Sequence, residues 1–212
     1  MGRPARIDRA AILDAAMAIA DQDGLAAVSL HAVARRLGVT AMALYRHLDG
    51  KEALLDGLVE RLLTAVPVPA HGSWEQRLTA MAGGLRAVAR RHPAAFPLLL
   101  SRPAVTPAAQ RTRTAVVAAL RESGLSEAAA VQTERLLSSA VLGFAASEAS
   151  GRFRQHDPAT LDEDFGQLLS WLRLALAHQG ATARTWGPSR YARTAALRSK
   201  GAPRPLMSRL RS

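Results

Sequence analysis

Apolar residues return every three or four positions along nearly the whole of this chain, and no alternating Val/Ile/Tyr-rich run is bounded by a hairpin turn. That periodicity restricts the chain to an all-α fold, in which each helix buries one stripe against its neighbours. With 212 residues, 49% of them hydrophobic, the core can be large enough to stand without covalent staples. None is available, because there is no cysteine, which excludes disulfides, thiolate metal sites and thiol redox sensing and fits a reducing compartment. His92, His156 and His178 have no ligand-type neighbour at helical spacing, so neither a metal nor a cofactor is expected. No stretch approaches the roughly 20 apolar residues of a membrane-spanning helix, and the opening MGRPARIDRA lacks an apolar export core. A cytoplasmic protein with no membrane partner is expected.

Breakers and caps divide the chain. A first helix over about 8 to 22 stops at Gly24, two short helices follow, and Asp49 with Glu52 forms a capping-box signal for a fourth helix reaching Val66. The VPVPAHGS stretch then separates residues 1–66 from a second unit, 73–180. Ser73 with Gln76, Thr106 with Pro107, Ser126, and Asp157 with Pro158 mark the starts of its long helices. Residues 181–212 carry eight basic and no acidic groups with little apolar periodicity, and are expected to be a disordered basic tail.

The net charge of +11 invites a nucleic-acid reading, but eight of those charges sit in that tail, while residues 1–66 are balanced at eight basic and eight acidic. A nucleic-acid interface must therefore be argued from local pattern.

Ser29 to Lys51, SLHAVARRLGVTAMALYRHLDGK, supplies that pattern. Ala34 is small where two helices cross, Gly38 can take the left-handed turn four residues on, and Leu44 packs the second helix onto the first, the spacing of a helix-turn-helix. With Thr40 in the N-cap position, a helix over about 41–47 turns Leu44 and Leu48 inward and leaves Ala41, Met42, Tyr45 and Arg46 outward, toward a major groove.

Over roughly residues 8–64, and most specifically in LGVTAMALYRHLDGKEALLDGL, the chain resembles the TetR family of bacterial transcription regulators. The resemblance implies a homodimer on a palindromic operator in double-stranded DNA, released as a repressor by a small-molecule effector. It gives Tyr45, His47 and Lys51, with Ser29 or His31, contacts to phosphates. It leaves base reading to Thr40, Met42 and Arg46, where Arg can fork to guanine and Met or Thr can pack on a thymine methyl. It assigns dimerisation to the last two long helices, here through Val131, Leu137, Val141, Phe144, Phe165, Leu168, Leu172 and Leu176. It implies an effector cavity, for which Trp74, Met81, Leu85, Phe96, Leu99, Phe144 and Trp171 are apolar candidates and Arg86, Arg102, Glu134, Ser138, Ser147 and Glu148 polar ones. The RRHPAAFPLLLSRP run resembles a helix-breaking segment of tetracycline-repressor-like members, which places the cavity beside His92 and Phe96. Each apolar candidate also fits a plain core, and each polar one a solvated face. Two alternatives stay open: a regulator with no effector, and a general DNA binder using the basic tail. No phosphate-binding loop, HExxH or GxSxG is present, and an enzyme is not expected.

Overall fold

A computed structural model describes residues 7–182, with side-chain surroundings up to residue 176. Among these residues there is no strand. The order is α1 (Arg9–Asp23), a 3-10 turn (Leu25–Ala27), α2 (Leu30–Leu37), α3 (Ala41–Leu44), α4 (Gly50–Thr64), α5 (Trp74–Arg91), α6 (Leu98–Ser101), α7 (Pro107–Glu122), α8 (Glu127–Ala149) and α9 (Pro158–Thr182). The basic tail expected from residue 181 lies outside the described residues, apart from the last two of α9.

Side-chain oxygens that satisfy otherwise unpaired amides fix most helix starts. Asp8, Ser29, Thr106 and Ser126 each accept from the backbone amide three residues on. Ser73 and Gln76 form a reciprocal capping box. The box expected at Asp49 and Glu52 does not form: Asp49 holds φ −84°, ψ 65°, not the extended backbone that aims a cap at the first turn. Glu52 pairs instead with Arg102.

Ile12, Ala16, Val28, Val33, Leu44, Leu54 and Leu58 are all fully buried and bind α1, α2, α3 and α4 into one unit. The same core continues without interruption into α5, the segment before α6, and α8 through Ala89, Phe96 and Ala145. A smaller cluster of Leu120, Leu125, Ala130 and Leu176 closes the far end of α7, α8 and α9, with Trp74 and Leu78 against it. The breaker-rich link after α4 is packed: a Cβ on Gly84 of α5 would lie 2.1 Å from Cδ of Pro67, so only glycine lets α5 pass there.

Polar ties complete the framework. Arg86 on α5 reaches Glu148 on α8 through Nε at 2.6 Å and Nη2 at 2.9 Å, and donates to the Leu161 carbonyl on α9 at 2.8 Å. Its guanidinium carbon stands 5.5 Å from the ring centre of Phe144 and 4.7 Å from that of Phe165. His92, at the end of α5, holds Asp21 of α1 at 2.9 Å.

Candidate nucleic-acid interface and internal cavity

The turn between α2 and α3 is built as its sequence demands. Gly38 sits at φ 68°, ψ 32°, in the left-handed region, and its amide closes α2 onto Ala34 and Arg35. Ala34 (3% exposed) and Leu44 (0%) lock the two helices at the crossing. Helix α3 is one turn, Ala41–Leu44, and the next three residues continue as turns held by bonds from His47 and Leu48 amides to the Leu44 carbonyl. The regular helix expected to residue 47 is therefore shorter. Thr40 occupies the N-cap but its hydroxyl makes no capping bond.

This arrangement leaves an exposed row: Thr40, Met42, Tyr45, Arg46, His47 and, at the start of α4, Lys51, with His31 on α2 beside it in the motif. Met42 is 74% exposed, and Tyr45 beside it 49%. Neither Arg46 nor Lys51 takes part in an ion pair among the described residues. Two expected members differ. Ala41 is half-buried and packs on the core. The Ser29 oxygen accepts the Ala32 amide at 3.1 Å as the cap of α2, and its hydroxyl proton stays available to donate to another partner.

A second feature lies within the bundle: a cavity of about 400 Å³ whose walls come from α4, α5, α6 and the stretch after it, α7, α8 and α9. Of the candidates for it, Trp74, Met81, Leu85, Leu99, Arg102, Glu134 and Ser138 line it. Seven other candidates do not. Arg86 and Glu148 are spent on each other, both side chains 8% exposed. His92 is held by Asp21, and Phe96 is fully buried in the main core. Phe144 lies against Phe153 and Phe165, with centroids 5.7 and 5.3 Å away. Ser147 does not reach the cavity. Trp171 is 62% exposed, because its neighbour Leu172 takes the inward direction and adjacent helix positions diverge by about 100°.

The cavity also takes residues expected to face a second subunit: Leu137, Val141, Leu172 and Leu176 are in its wall. Phe144 and Phe165 flank Arg86, and Val131 and Leu168 are half-buried. The large apolar side chains that α8 and α9 leave outward are instead Leu136, Trp171 and Leu174, at 62%, 62% and 56% exposure.

Glu75, Thr112, Arg113 and Arg173 line the cavity without having been singled out in the sequence. A signal existed for Thr112: Ala109, Thr112 and Val116, spaced three and four apart, share one face of α7, so the hydroxyl interrupts an apolar stripe. Electrostatically, two of the three cavity arginines, Arg102 and Arg113, pair with acids. Arg102 Nε donates to Asp56 at 2.8 Å and Nη1 to Glu52 at 2.9 Å, both on α4. Arg113 lies 3.4 Å from Glu134. The Ser73 hydrogen bond, with its own amide and the charge of Arg173, holds the Glu75 carboxyl below its ordinary value despite some desolvation.

No helix among the described residues is long and apolar enough to cross a membrane, and no cluster of His, Cys, Asp and Glu among them could hold a metal ion.

These features match known proteins. The family profile for bacterial regulatory proteins of the tetR family matches residues 12–58, and that for the tetracyclin repressor-like C-terminal domain matches residues 78–172. The HTH-type transcriptional repressor DrrR1 of Streptomyces coeruleorubidus is 32% identical over 157 residues, covering 73% of this chain and 58% of DrrR1. An HTH-type transcriptional regulator of Saccharopolyspora erythraea is 32% identical over 143 residues, 66% of this chain and 61% of the relative. The chain thus spans about three-fifths of the length of these two relatives. Among solved structures, BioQ of Mycobacterium smegmatis superposes with a TM-score of 0.73 at 25% identity, over 82% of this chain and 100% of BioQ. BioQ has also been solved with its double-stranded DNA operator, matching at a TM-score of 0.68 and 26% identity over 82% of this chain and 99% of that one. Apo ActR of Streptomyces coelicolor shares the fold at a TM-score of 0.74 and 23% identity, over 86% of this chain and all of ActR. A helix-turn-helix closed by Gly38 and Leu44, followed by a helical bundle with an internal cavity, and two family profiles that divide the chain the same way place it: the chain belongs to the TetR family of bacterial regulatory proteins.

Proposed function

We propose that this chain is a sequence-specific DNA-binding transcription regulator, a repressor that works as a homodimer and leaves its operator when a small molecule fills the cavity. The observation that carries the reading is the exposed row Thr40, Met42, Tyr45, Arg46 and His47 on the turn locked by Gly38 and Leu44. Lys51, Tyr45, His47 and His31 hold phosphates, which sets register, and Thr40, Met42 and Arg46 meet base edges. One such unit reads one half-site, so two are needed, and the outward Leu136, Trp171 and Leu174 give α8 and α9 an apolar face for the second copy. Family membership, the repressor DrrR1 among the relatives and BioQ with its operator support the same reading.

Selection from random double-stranded DNA with the full chain tests it. The expected product is a palindrome whose half-sites lie about one helical turn, roughly 34–36 Å, or a multiple of it apart. A lone half-site would refute the dimer, and an unenriched pool would leave only the general DNA binder.

Arg102 is the link through which the cavity acts on the DNA-facing unit. It lines the cavity while holding Glu52 and Asp56, in the first and second turns of α4, the helix whose second residue is Lys51. A ligand changes DNA affinity only through a difference in its affinity for the two arrangements. Arg102→Ala is expected to speed amide exchange over residues 50–56 about fivefold, the equivalent of roughly 1 kcal/mol for a partly exposed ion pair, with the global unfolding midpoint little changed. Unchanged exchange there would remove Arg102 from the coupling path.

A further inference from the structure

Charge is distributed unevenly through the wall of the cavity. Glu134 lines it from α8, on the face where Leu137, Ser138, Val141 and Leu142 follow at helical spacing, and is itself only 8% exposed. Its Oε1 accepts from Ser138 Oγ at 3.0 Å. Its Oε2 lies 3.4 Å from Arg113 Nε, well beyond the roughly 2.7–2.9 Å of a charge-assisted hydrogen bond. A carboxylate offers about four acceptor positions, so a buried one served by a single neutral hydroxyl is short of partners, and a buried charge in that state is costly. The other charges of the wall are placed differently. Arg113 has a side chain 50% exposed and Arg173 is exposed, so water reaches both. Arg102, 16% exposed at its side chain, already donates to Asp56 at 2.8 Å and to Glu52 at 2.9 Å. The second acid, Glu75, is half-buried in the first turn of α5. The one deeply buried charge of the wall with unmet hydrogen-bonding capacity is therefore negative.

We infer that the cavity takes a cationic ligand, an amine on a mainly apolar body, whose ammonium donates to the Glu134 carboxylate while the body lies among Met81, Leu85, Val141 and Leu142. This rests on the reading of the cavity as the effector site. An ammonium brings several donors and a full opposite charge to one small volume, which suits an under-partnered carboxylate better than a neutral group does. Folding has already taken Glu134 out of water, so the new pair adds only the dehydration of the amine. Arg113 is the ligand's rival for Glu134, and a weak one: its contact is long and its half-exposed side chain can return to solvent at little cost.

Equilibrium dialysis of the full chain at pH 7 against 2-naphthylmethylamine, 2-naphthalenemethanol and 2-naphthoate tests this. The three probes share one apolar body and carry an ammonium, a neutral hydroxyl or a carboxylate. The amine is expected to bind at least about tenfold tighter than the alcohol, the effect of one charge-assisted hydrogen bond made out of water, and tighter than the carboxylate. Glu134→Gln, which keeps the shape and removes the charge, should bring the amine-to-alcohol ratio to about one and leave the affinity for the alcohol in place, a change that general loosening of the bundle would not produce. Arg113→Ala, at a half-exposed position, should tighten the amine by removing its rival and leave the alcohol unaffected. Equal binding of amine and alcohol, a preference that survives Glu134→Gln, or weaker binding of the amine in Arg113→Ala would each overturn the inference and leave the cavity as a ligand site. Preference for 2-naphthoate would overturn it in favour of a site led by Arg113 and Arg173. No binding by any probe would overturn both the inference and the effector reading on which it rests.

Discussion

Replacing Tyr45 and Lys51 together by alanine is expected to lower affinity for the selected operator by about a hundredfold or more, since in the proposed reading each removes a hydrogen bond to a charged phosphate from both subunits. The unfolding midpoint should hardly move, because both side chains are exposed and neither joins the core. The salt dependence separates the two. Lys51→Ala alone should reduce the log–log slope of affinity against salt by about two per dimer, one condensed counterion per lost phosphate contact, and weaken binding to every sequence alike. Arg46→Ala should act differently: it relaxes the preference at one position of each half-site by about 1–3 kcal/mol. Fluorescence anisotropy of the labelled operator over a salt series reads all three. A Lys51→Ala slope equal to that of the parent chain would show that Lys51 does not face phosphate, and a wholesale loss of affinity in Arg46→Ala would move Arg46 from base reading to backbone holding.

What could be read from the sequence follows from how local each determinant is. Gly38, Ala34 and Leu44 lie within eleven residues, and their spacing alone dictates a crossing and a left-handed turn, which the backbone adopts. Ser73, Thr106 and Ser126 act on amides three residues away, so their role as helix starts is equally local. Asp49 shows the limit: its side chain is the right one, but the turn from Leu48 sets a backbone that cannot aim it. The cavity and the outward face were less legible for a different reason. Helices α8 and α9 are apolar over more than one stripe, so periodicity shows two apolar faces without saying which one meets this chain's own core. Trp171 and Leu172 are neighbours in sequence and end on opposite sides of that division. Arg86 and Glu148 were sensible polar anchors for a ligand by type and region, yet 62 residues apart they find each other. Only the packing of α5 on α8 brings that pairing about.

That pairing sets the second large effect. Glu148→Ala is expected to destabilise the chain by about 3–5 kcal/mol, since it strands the Arg86 guanidinium between Phe144 and Phe165 with Asp162 as its remaining carboxylate. Arg90→Ala, at a side chain 42% exposed, should cost under about 1 kcal/mol although Arg90 bonds the same carboxylate. The contrast follows from burial: desolvation makes a lone charge expensive at the Arg86 position and cheap at the Arg90 position. The same balance governs acid stability. Burial pushes the Glu148 carboxyl up, but hydrogen bonds from Arg86 and Arg90 outweigh it and leave the group below its ordinary value near 4.5. A carboxyl depressed on folding contributes stability that is fully present above its unfolded value and is lost as pH falls through its folded one. The parent chain should therefore lose stability as pH drops below about 4.5, with Asp162, also held low by Arg90, adding to the loss. In Glu148→Ala the same acid range should show a shallower decline from a lower plateau. Denaturant melts at pH 7 and through the acid range measure both. A variant as stable as the parent would mean that Arg86 is satisfied by Asp162 and the Leu161 carbonyl alone. Because Arg86 and Glu148 tie α5 to α8 and α9, the helices that offer Leu136 and Trp171 outward, the destabilised variant should also dimerise and bind operator less well at concentrations where the parent is fully paired.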